Sequence, residues 1–186
     1  MKRPFDFCLA LFGIILSSPL WIAISILIWL EDHGPIFYIQ DRIGRNGRIF
    51  RAFKFRSMRV DAEKDNIPVQ AKENDPRVTR IGKVMRKTAM DELPQLINIL
   101  IGDMSFVGPR ALRPQEREIN GNGDVVPLHK IPRFVRRHEI RPGLTGLAQI
   151  YLPADAPRQS KFRYDLFYRE KQSFCLDIKL ILLSFW

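Results

Sequence analysis

The chain has 186 residues, 30 Lys and Arg against 20 Asp and Glu, and a formal net charge of +10. That length suits one domain with a proper core, and the positive surplus points to an anionic partner: nucleic acid, an anionic membrane surface or a phosphorylated substrate. Cys8 and Cys175 are the only cysteines, which excludes a disulfide framework and a zinc-binding spacing and suits a reducing, cytosol-facing setting.

Residues 5–30 are strongly apolar with a single charge, Asp6, and follow Lys2 and Arg3. The run lacks a small-residue cleavage site and exceeds a signal peptide in length, so it reads as a membrane segment. As one straight helix it would reach roughly 39 Å, against roughly 30 Å of hydrocarbon. Pro19 divides it into halves of about 21 and 17 Å, neither of which spans alone. Pro19 also removes a backbone hydrogen bond, and Ser17 and Ser18 can serve the carbonyls this frees. Two topologies follow, a kinked single pass or a re-entrant helix-break-helix turning at Ser18-Pro19. All but two of the Lys and Arg lie beyond the segment, and those two precede it. Cytoplasmic preference of basic residues on both flanks leans to the hairpin.

Gly34-Pro35 marks the exit. Residues 36–43 read as a strand, Asn46-Gly47 as a hairpin turn and residues 48–58 as the returning strand. Lys54 and Arg56 share a face with Phe50 and Ala52, opposite Phe53 and Phe55. Residues 42–59 hold seven basic side chains and no acid. They suit either phosphate binding or an edge strand that uses charge against aggregation. Residues 61–76 read as a short helical start and then a polar loop. Residues 79–87 form an amphipathic helix with Ile81, Val84, Met85 and Thr88 inward and Arg86 near the boundary.

Asp91-Glu92-Leu93-Pro94-Gln95-Leu96 follows. Leu93, Leu96, Ile97 and Leu100 make one apolar helical face, continuing to about Ile101. Pro94 fits a first helical turn, which puts Asp91 and Glu92 at the positive end of the helix dipole and favours their ionised form. Taken alone, the two carboxylates fit an acidic N-cap as well as a metal-bridged phosphate site. Residues 102–110 are a loop that aims Arg110. Residues 113–141 are expected to be helical in two pieces split by Gly121-Asn122-Gly123, and residues 141–146 are a second structured loop. Residues 151–157 show no periodicity. Residues 162–168 read as helical, with Tyr164 and Asp165 available for polar work. Residues 175–186 suit either an interfacial helix or a buried terminal core helix.

His33, His129 and His138 are scattered, and no nucleophile triad, zinc motif or Walker loop is present. Basic and aromatic residues are not interleaved as in single-strand nucleic-acid binders, so no nucleic acid partner is expected. The chemistry-bearing set is Asp91, Glu92, Lys54, Arg86 and Arg110 beside a membrane. Carboxylates of this kind, completed by substrate phosphates, commonly hold Mg²⁺, with cations offsetting diphosphate charge. A carboxylate can also act as nucleophile and form an acyl phosphate.

Ordered motifs running nearly end to end carry a resemblance. They are Ser18-Pro19, Gly34-Pro35-Ile36-Phe37, Lys54-Phe55-Arg56-Ser57-Met58, Asp75-Pro76-Arg77 and Arg86-Lys87-Thr88. They continue through Asp91 to Asn98, Gly102 to Arg110, Arg141 to Gln149, Tyr164-Asp165 and Leu176-Asp177. On these the chain resembles the bacterial sugar transferase family, the monotopic phosphoglycosyl transferases. The resemblance implies an α/β, mainly helical fold with a re-entrant membrane hairpin over residues 1–33. A catalytic domain over residues 34–186 would carry a small β-hairpin and amphipathic interface helices, including an interfacial C-terminal one. It implies a place in the bacterial inner membrane with the catalytic domain on the cytoplasmic face. The implied reaction moves a sugar 1-phosphate from a UDP-sugar to polyprenyl (undecaprenyl) phosphate, with release of UMP, as a first membrane step of glycoconjugate or polysaccharide assembly. Asp91 would be the nucleophile and form a covalent phosphosugar. Glu92 would assist with metal (Mg²⁺, held by Asp91 and Glu92) and protons, and Lys54, Arg86, Arg110 and Asp165 would bind substrate or phosphate. The alternatives are a membrane-bound nucleotide-diphosphate hydrolase and a non-enzymatic basic anchor. Two departures from the family pattern stand out: Ala111 replaces the proline usual after Gly-Pro-Arg, and residues 150–153 replace a turn that many members carry.

Overall fold

In the computed structural model, residues 2–62, 75–119 and 125–184 are described. The apolar segment is one helix, α1 (Lys2–Asp32), which runs through Pro19, so the expected break into two helices at Ser18-Pro19 is not seen. Pro19 has no N–H to offer Ile15, and the Ser18 hydroxyl donates to that carbonyl instead at 2.8 Å. The Ser17 hydroxyl donates to the Gly13 carbonyl at 2.6 Å, one turn earlier. Serine repair at the proline, expected from sequence, is therefore present.

Both ends of α1 are fastened to the rest of the chain. Lys2 Nζ pairs with Asp177 Oδ2 at 2.6 Å, Arg3 donates to the Leu100 carbonyl at 2.6 Å, and the buried Asp6 accepts from the Phe106 amide at 3.2 Å. At the other end Glu31 accepts from the Arg80 amide at 2.6 Å, and Asp32 pairs with Arg56. The buried positions of α1 are Asp6 and Ala10 near its start and Ile24 and Ile28 near its end. Phe12, Ile15, Leu16, Leu20 and Ile22 between them are exposed.

The hairpin is as expected, with β1 (Phe37–Ile43) antiparallel to β2 (Ile49–Phe55). Asn46 and Gly47 both adopt positive φ in the tight turn between them. Lys54, Ala52 and Phe50 share one face with their partners Tyr38, Gln40 and Arg42. The amphipathic helix is α2 (Arg80–Lys87), capped by the Thr79 hydroxyl accepting from the Gly82 amide at 2.9 Å. Gly82 and Met85 are its buried residues, whereas Val84 and Thr88, expected inward, are exposed. Of the loop expected over 61–76, residues 63–74 lie outside the described residues.

Asp91 and Glu92 sit in a separate 3₁₀ turn (Met90–Glu92), and α3 (Gln95–Ile101) starts after Pro94. Leu96 and Ile99 pack on Ala10, Phe50, Ala52 and Met104 in the central cluster. Ile24 and Ile28 close a second cluster over Phe55 and Met85.

The two expected loops are zipped together: β3 (Ser105–Val107) pairs in parallel with β6 (Gly143–Thr145). The ladder is tight, because a Cβ on Gly143 would lie 2.0 Å from the Gly108 amide nitrogen. Among the described residues, the helices expected over 113–141 are largely absent. That stretch holds the antiparallel pair β4 (Arg117–Ile119) and β5 (Val125–Pro127), a 3₁₀ turn and only the short α4 (Phe134–Arg137). Pro114, Pro127 and Pro132 each withhold an amide, and Ile119, Val125 and Val126 are β-branched, so strands and turns win. Gly121-Asn122-Gly123 lies outside the described residues.

The chain continues as α5 (Leu147–Tyr151), α6 (Arg158–Lys171) and α7 (Phe174–Leu183). In α7, Asp177 and Leu180 are buried while Phe174, Ile178 and Leu182 are exposed, so it is a core helix on one face and an apolar surface on the other. Phe174 packs edge-on against Phe5 of α1 with ring centroids 5.0 Å apart, which joins the exposed apolar faces of the two helices.

Candidate active site

A cavity opens between the hairpin, the start of α3 and the β3–β6 ladder, with Arg42, Lys54, Glu92, Gln95, Arg110 and Gly143 in its wall. Four segments far apart in sequence build it, and Asn98 is the staple between two of them. Its side-chain oxygen accepts from the Phe53 amide at 2.9 Å, and its amide nitrogen donates to the Arg51 carbonyl at 2.8 Å. Its backbone carbonyl also gathers the amides of Gly102, Asp103 and Met104. One residue thus sets the hairpin, α3 and the following loop in register, and Lys54 comes to face the Asp91-Glu92 turn.

Lys54 Nζ donates to Glu92 Oε1 at 2.5 Å, and Arg110 Nη2 lies 3.9 Å from the same oxygen. Burial pushes the Glu92 carboxyl up, but Lys54 and Arg110 together outweigh it, so its pKa falls below the ordinary value. Asp91 behaves oppositely. It is 8% exposed. Burial raises its pKa, Lys54 opposes, and the neighbouring Glu92 charge adds to the rise. The expectation that a helix dipole favours the ionised form of both acids is opposed at Asp91 by burial, in a shielded turn ahead of α3. Among the described residues no side chain pairs with the Asp91 carboxylate, and Asp91 lies beside the cavity wall rather than in it.

Arg86 donates through Nε to the Ser57 hydroxyl at 2.8 Å, and its charge acts on Asp91 from the α2 side. Ser18 and Pro19 lie on exposed α1, away from this cavity. Asp165, expected to meet substrate, is 3% exposed and pairs with Arg137 at 2.8 Å, so it is buried behind the site. The outward side of α6 offers Tyr164; the Asp165 side turns inward.

Sequence reading missed Arg42. Its Nη1 donates to the Ala111 carbonyl at 2.9 Å and its Nη2 to Gln40 Oε1 at 2.5 Å, beside the cavity. Burial, then the charges of Arg113 and Arg110, bring its pKa down to about 10, which leaves it a cation at neutral pH. The signal was present in the pairing pattern, because Arg42 opposite Phe50 shares the face of Lys54. Two adjacent carboxylates and three cations can bind a diphosphate and attack or stabilise it. Among the described residues no three His, Cys, Asp or Glu side chains converge, so a divalent ion here would draw on Asp91 and Glu92 and take its remaining oxygens from substrate or water.

Comparison with known proteins agrees with this chemistry. The family model described as bacterial sugar transferase matches residues 1–186. The chain is 38% identical over 186 residues to "Exopolysaccharide production protein PSS" of Rhizobium leguminosarum bv. phaseoli, covering 97% of this chain and 91% of that protein. It is 41% identical to the UDP-N-acetylgalactosamine-undecaprenyl-phosphate N-acetylgalactosaminephosphotransferase of Aeromonas hydrophila, covering 97% of this chain but 42% of that protein. It is 37% identical to the UDP-glucose:undecaprenyl-phosphate glucose-1-phosphate transferase of Escherichia coli (strain K12), covering 99% of this chain and 39% of that protein. The chain thus spans less than half the length of the last two. With the family model matched from the first residue to the last, the chain belongs to the bacterial sugar transferase family.

Proposed function

We propose that this chain is a phosphoglycosyl transferase that moves a sugar 1-phosphate from a UDP-sugar to undecaprenyl phosphate. The observation that carries the residue assignment is the division between the two carboxylates. Glu92 is held by Lys54 and Arg110, whereas Asp91 has no side-chain partner among the described residues and has a raised pKa. A more basic, uncommitted carboxylate is the better nucleophile. The Asp91 carboxylate attacks the phosphorus that bears the sugar, and the diphosphate bond breaks with UMP as leaving group. An oxygen of the acceptor lipid phosphate then attacks that phosphorus, the acyl phosphate bond breaks and Asp91 is regenerated. Lys54, Arg42 and Arg110 offset the phosphate charge and Arg86 assists from the α2 side, while Glu92 keeps Lys54 and Arg110 converged. Mg²⁺ at Asp91 and Glu92 would, when bound, neutralise diphosphate oxygens.

The same reading puts α1 in the cytoplasmic leaflet of the bacterial inner membrane as a re-entrant segment, with the site at headgroup level. It is supported by the two fastened ends of α1 and by the exposed apolar stretch around Ser18-Pro19 between its buried ends. The test is UMP release from UDP-glucose or UDP-N-acetylgalactosamine with Mg²⁺, with and without undecaprenyl phosphate. Release that needs the lipid is expected. Lipid-independent hydrolysis would make the chain a nucleotide-diphosphate hydrolase, and silence with both sugars in the presence of the lipid would favour a non-enzymatic anchor.

A further inference from the structure

Behind the cavity, Arg137 of α4 is sealed at 2% exposure, yet every side of its guanidinium is used. Nε donates to Asp165 Oδ2 at 2.8 Å, Nη1 lies 3.0 Å from His138 Nε2, and Nη2 donates to the backbone carbonyl of Arg110 at 2.9 Å. The Phe162 ring lies against the cation, 4.7 Å from Cζ to the ring centroid. The histidine tautomer follows from its other neighbour. His138 Nδ1 is 2.7 Å from the Phe134 carbonyl, which can only accept, so Nδ1 carries the hydrogen and Nε2 accepts from Arg137. Burial, then the charge of Arg137, hold the His138 pKa down to about 4, consistent with that neutral form.

A buried ion pair is a poor way to add stability, since apolar side chains of similar volume often do as well. Here the third bond of the guanidinium gives it another use. Arg110 is one of the cavity cations, and its side chain is 53% exposed, with Glu92 at 3.9 Å as its ion-pair partner. Its direction therefore depends on its backbone. Ala111 follows Arg110, and its φ is unrestricted by any ring. In this chain two arginines hold consecutive carbonyls of that loop: Arg137 holds Arg110 and Arg42 holds Ala111.

We infer that Arg137, set by Asp165 and His138, is a positioning residue that aims Arg110 at the substrate phosphate by fixing the Arg110 carbonyl. The inference rests on the proposed phosphate-binding role of Arg110. It also gives Asp165 an indirect part in the reaction, through Arg137 rather than through substrate.

A double-mutant cycle on the full chain in detergent tests it, with Arg110→Ala, Arg137→Lys and both. The probes are undecaprenyl phosphate and whichever of UDP-glucose and UDP-N-acetylgalactosamine turns over, and the readouts are kcat and KM for UMP release. Lysine keeps a charge opposite Asp165 but cannot also hold His138 and the Arg110 carbonyl. Arg137→Lys alone is expected to lower kcat/KM about 10-fold, as a small misplacement of a positioned group does, and by less than about 2-fold once Arg110 is alanine. Equal losses in both backgrounds would overturn the inference, because a merely structural residue weakens every variant alike. If Arg110→Ala itself leaves kcat/KM unchanged, the phosphate role of Arg110 is wrong and the inference falls with it. Should Arg137→Lys melt without cooperativity, Asp165→Asn, which keeps an oxygen for Nε, takes its place. Its loss must likewise vanish beside Arg110→Ala.

Discussion

Replacing Asp91 by asparagine separates chemistry from stability in one substitution. The carboxyl is 8% exposed and its pKa is raised by burial. The folded protein therefore holds the Asp91 proton more tightly than the unfolded chain does. As pH climbs past the ordinary carboxylate range the unfolded chain ionises first and stability falls, until the folded group ionises too; above that the deficit stays constant. At neutral pH asparagine removes the deficit, because it keeps the shape and never ionises. Functional-site relief of this kind is worth about 1 kcal/mol, which for a chain of this length raises Tm by about 2–4 °C. Activity should fall by a factor on the order of 10³ or more, as when other enzymes lose their nucleophile. The assay pairs melting in Mg²⁺-free detergent with intact-mass detection of a phosphosugar adduct and with UMP release. A drop in Tm of several degrees would refute the burial argument, and an adduct that survives in Asp91→Asn would refute the nucleophile.

Three further expectations follow from the same geometry. Lys54→Met removes a cation that lowers the Asp91 pKa, so Asp91 should need a higher pH to ionise. The acid limb of kcat/KM, measured at one fixed Mg²⁺ concentration, should move to higher pH; movement to lower pH would contradict the electrostatics. Gly143→Ala drives a Cβ to within 2.0 Å of the Gly108 backbone, so the β3–β6 ladder should open at a cost of roughly 3 kcal/mol, read as a lower Tm. In a cysteine-free background, Lys2→Cys in intact cells should resist a membrane-impermeant maleimide, and labelling from outside would exclude the hairpin topology.

The legibility of this chain in its sequence tracks the range of the interactions involved. The hairpin turn and the extent of α2 rest on neighbours a few residues apart and lie close to where the sequence puts them, whereas the face expected for α3 is met fully only at Leu96, because Gln95, Asn98 and Ile99 are buried beside it. Asp91 and Glu92 were legible as a pair but not as unequal partners, because the difference comes from Lys54 and Arg110, which distant loops deliver. Strands of three residues, as in β3 and β6, leave no alternation to read, so their ladder looked like two separate loops. Arg137 and Asp165 are 28 positions apart, and nothing local in either says that they meet inside the protein. Pro114, Pro127 and Pro132 in residues 113–141 are the local signal against helix there.

The tie between Lys2 and Asp177 also bears on how the protein is made. Those residues are separated by 175 positions, and the Tyr168 hydroxyl joins them by donating to Asp177 at 2.5 Å and accepting from Lys2 at 3.1 Å. During synthesis α1 emerges long before its anchors on α6 and α7 exist, and its apolar middle, exposed even in the folded protein, is unshielded from the start. Contacts of such long range close late, and an apolar helix left waiting in water aggregates. On the proposed reading that α1 lies in a lipid leaflet, that leaflet is also a holding phase for it, and a ribosome working away from a membrane should yield aggregated chains. Closing the tie from Lys2 to Asp177 then waits for α7, the last described helix.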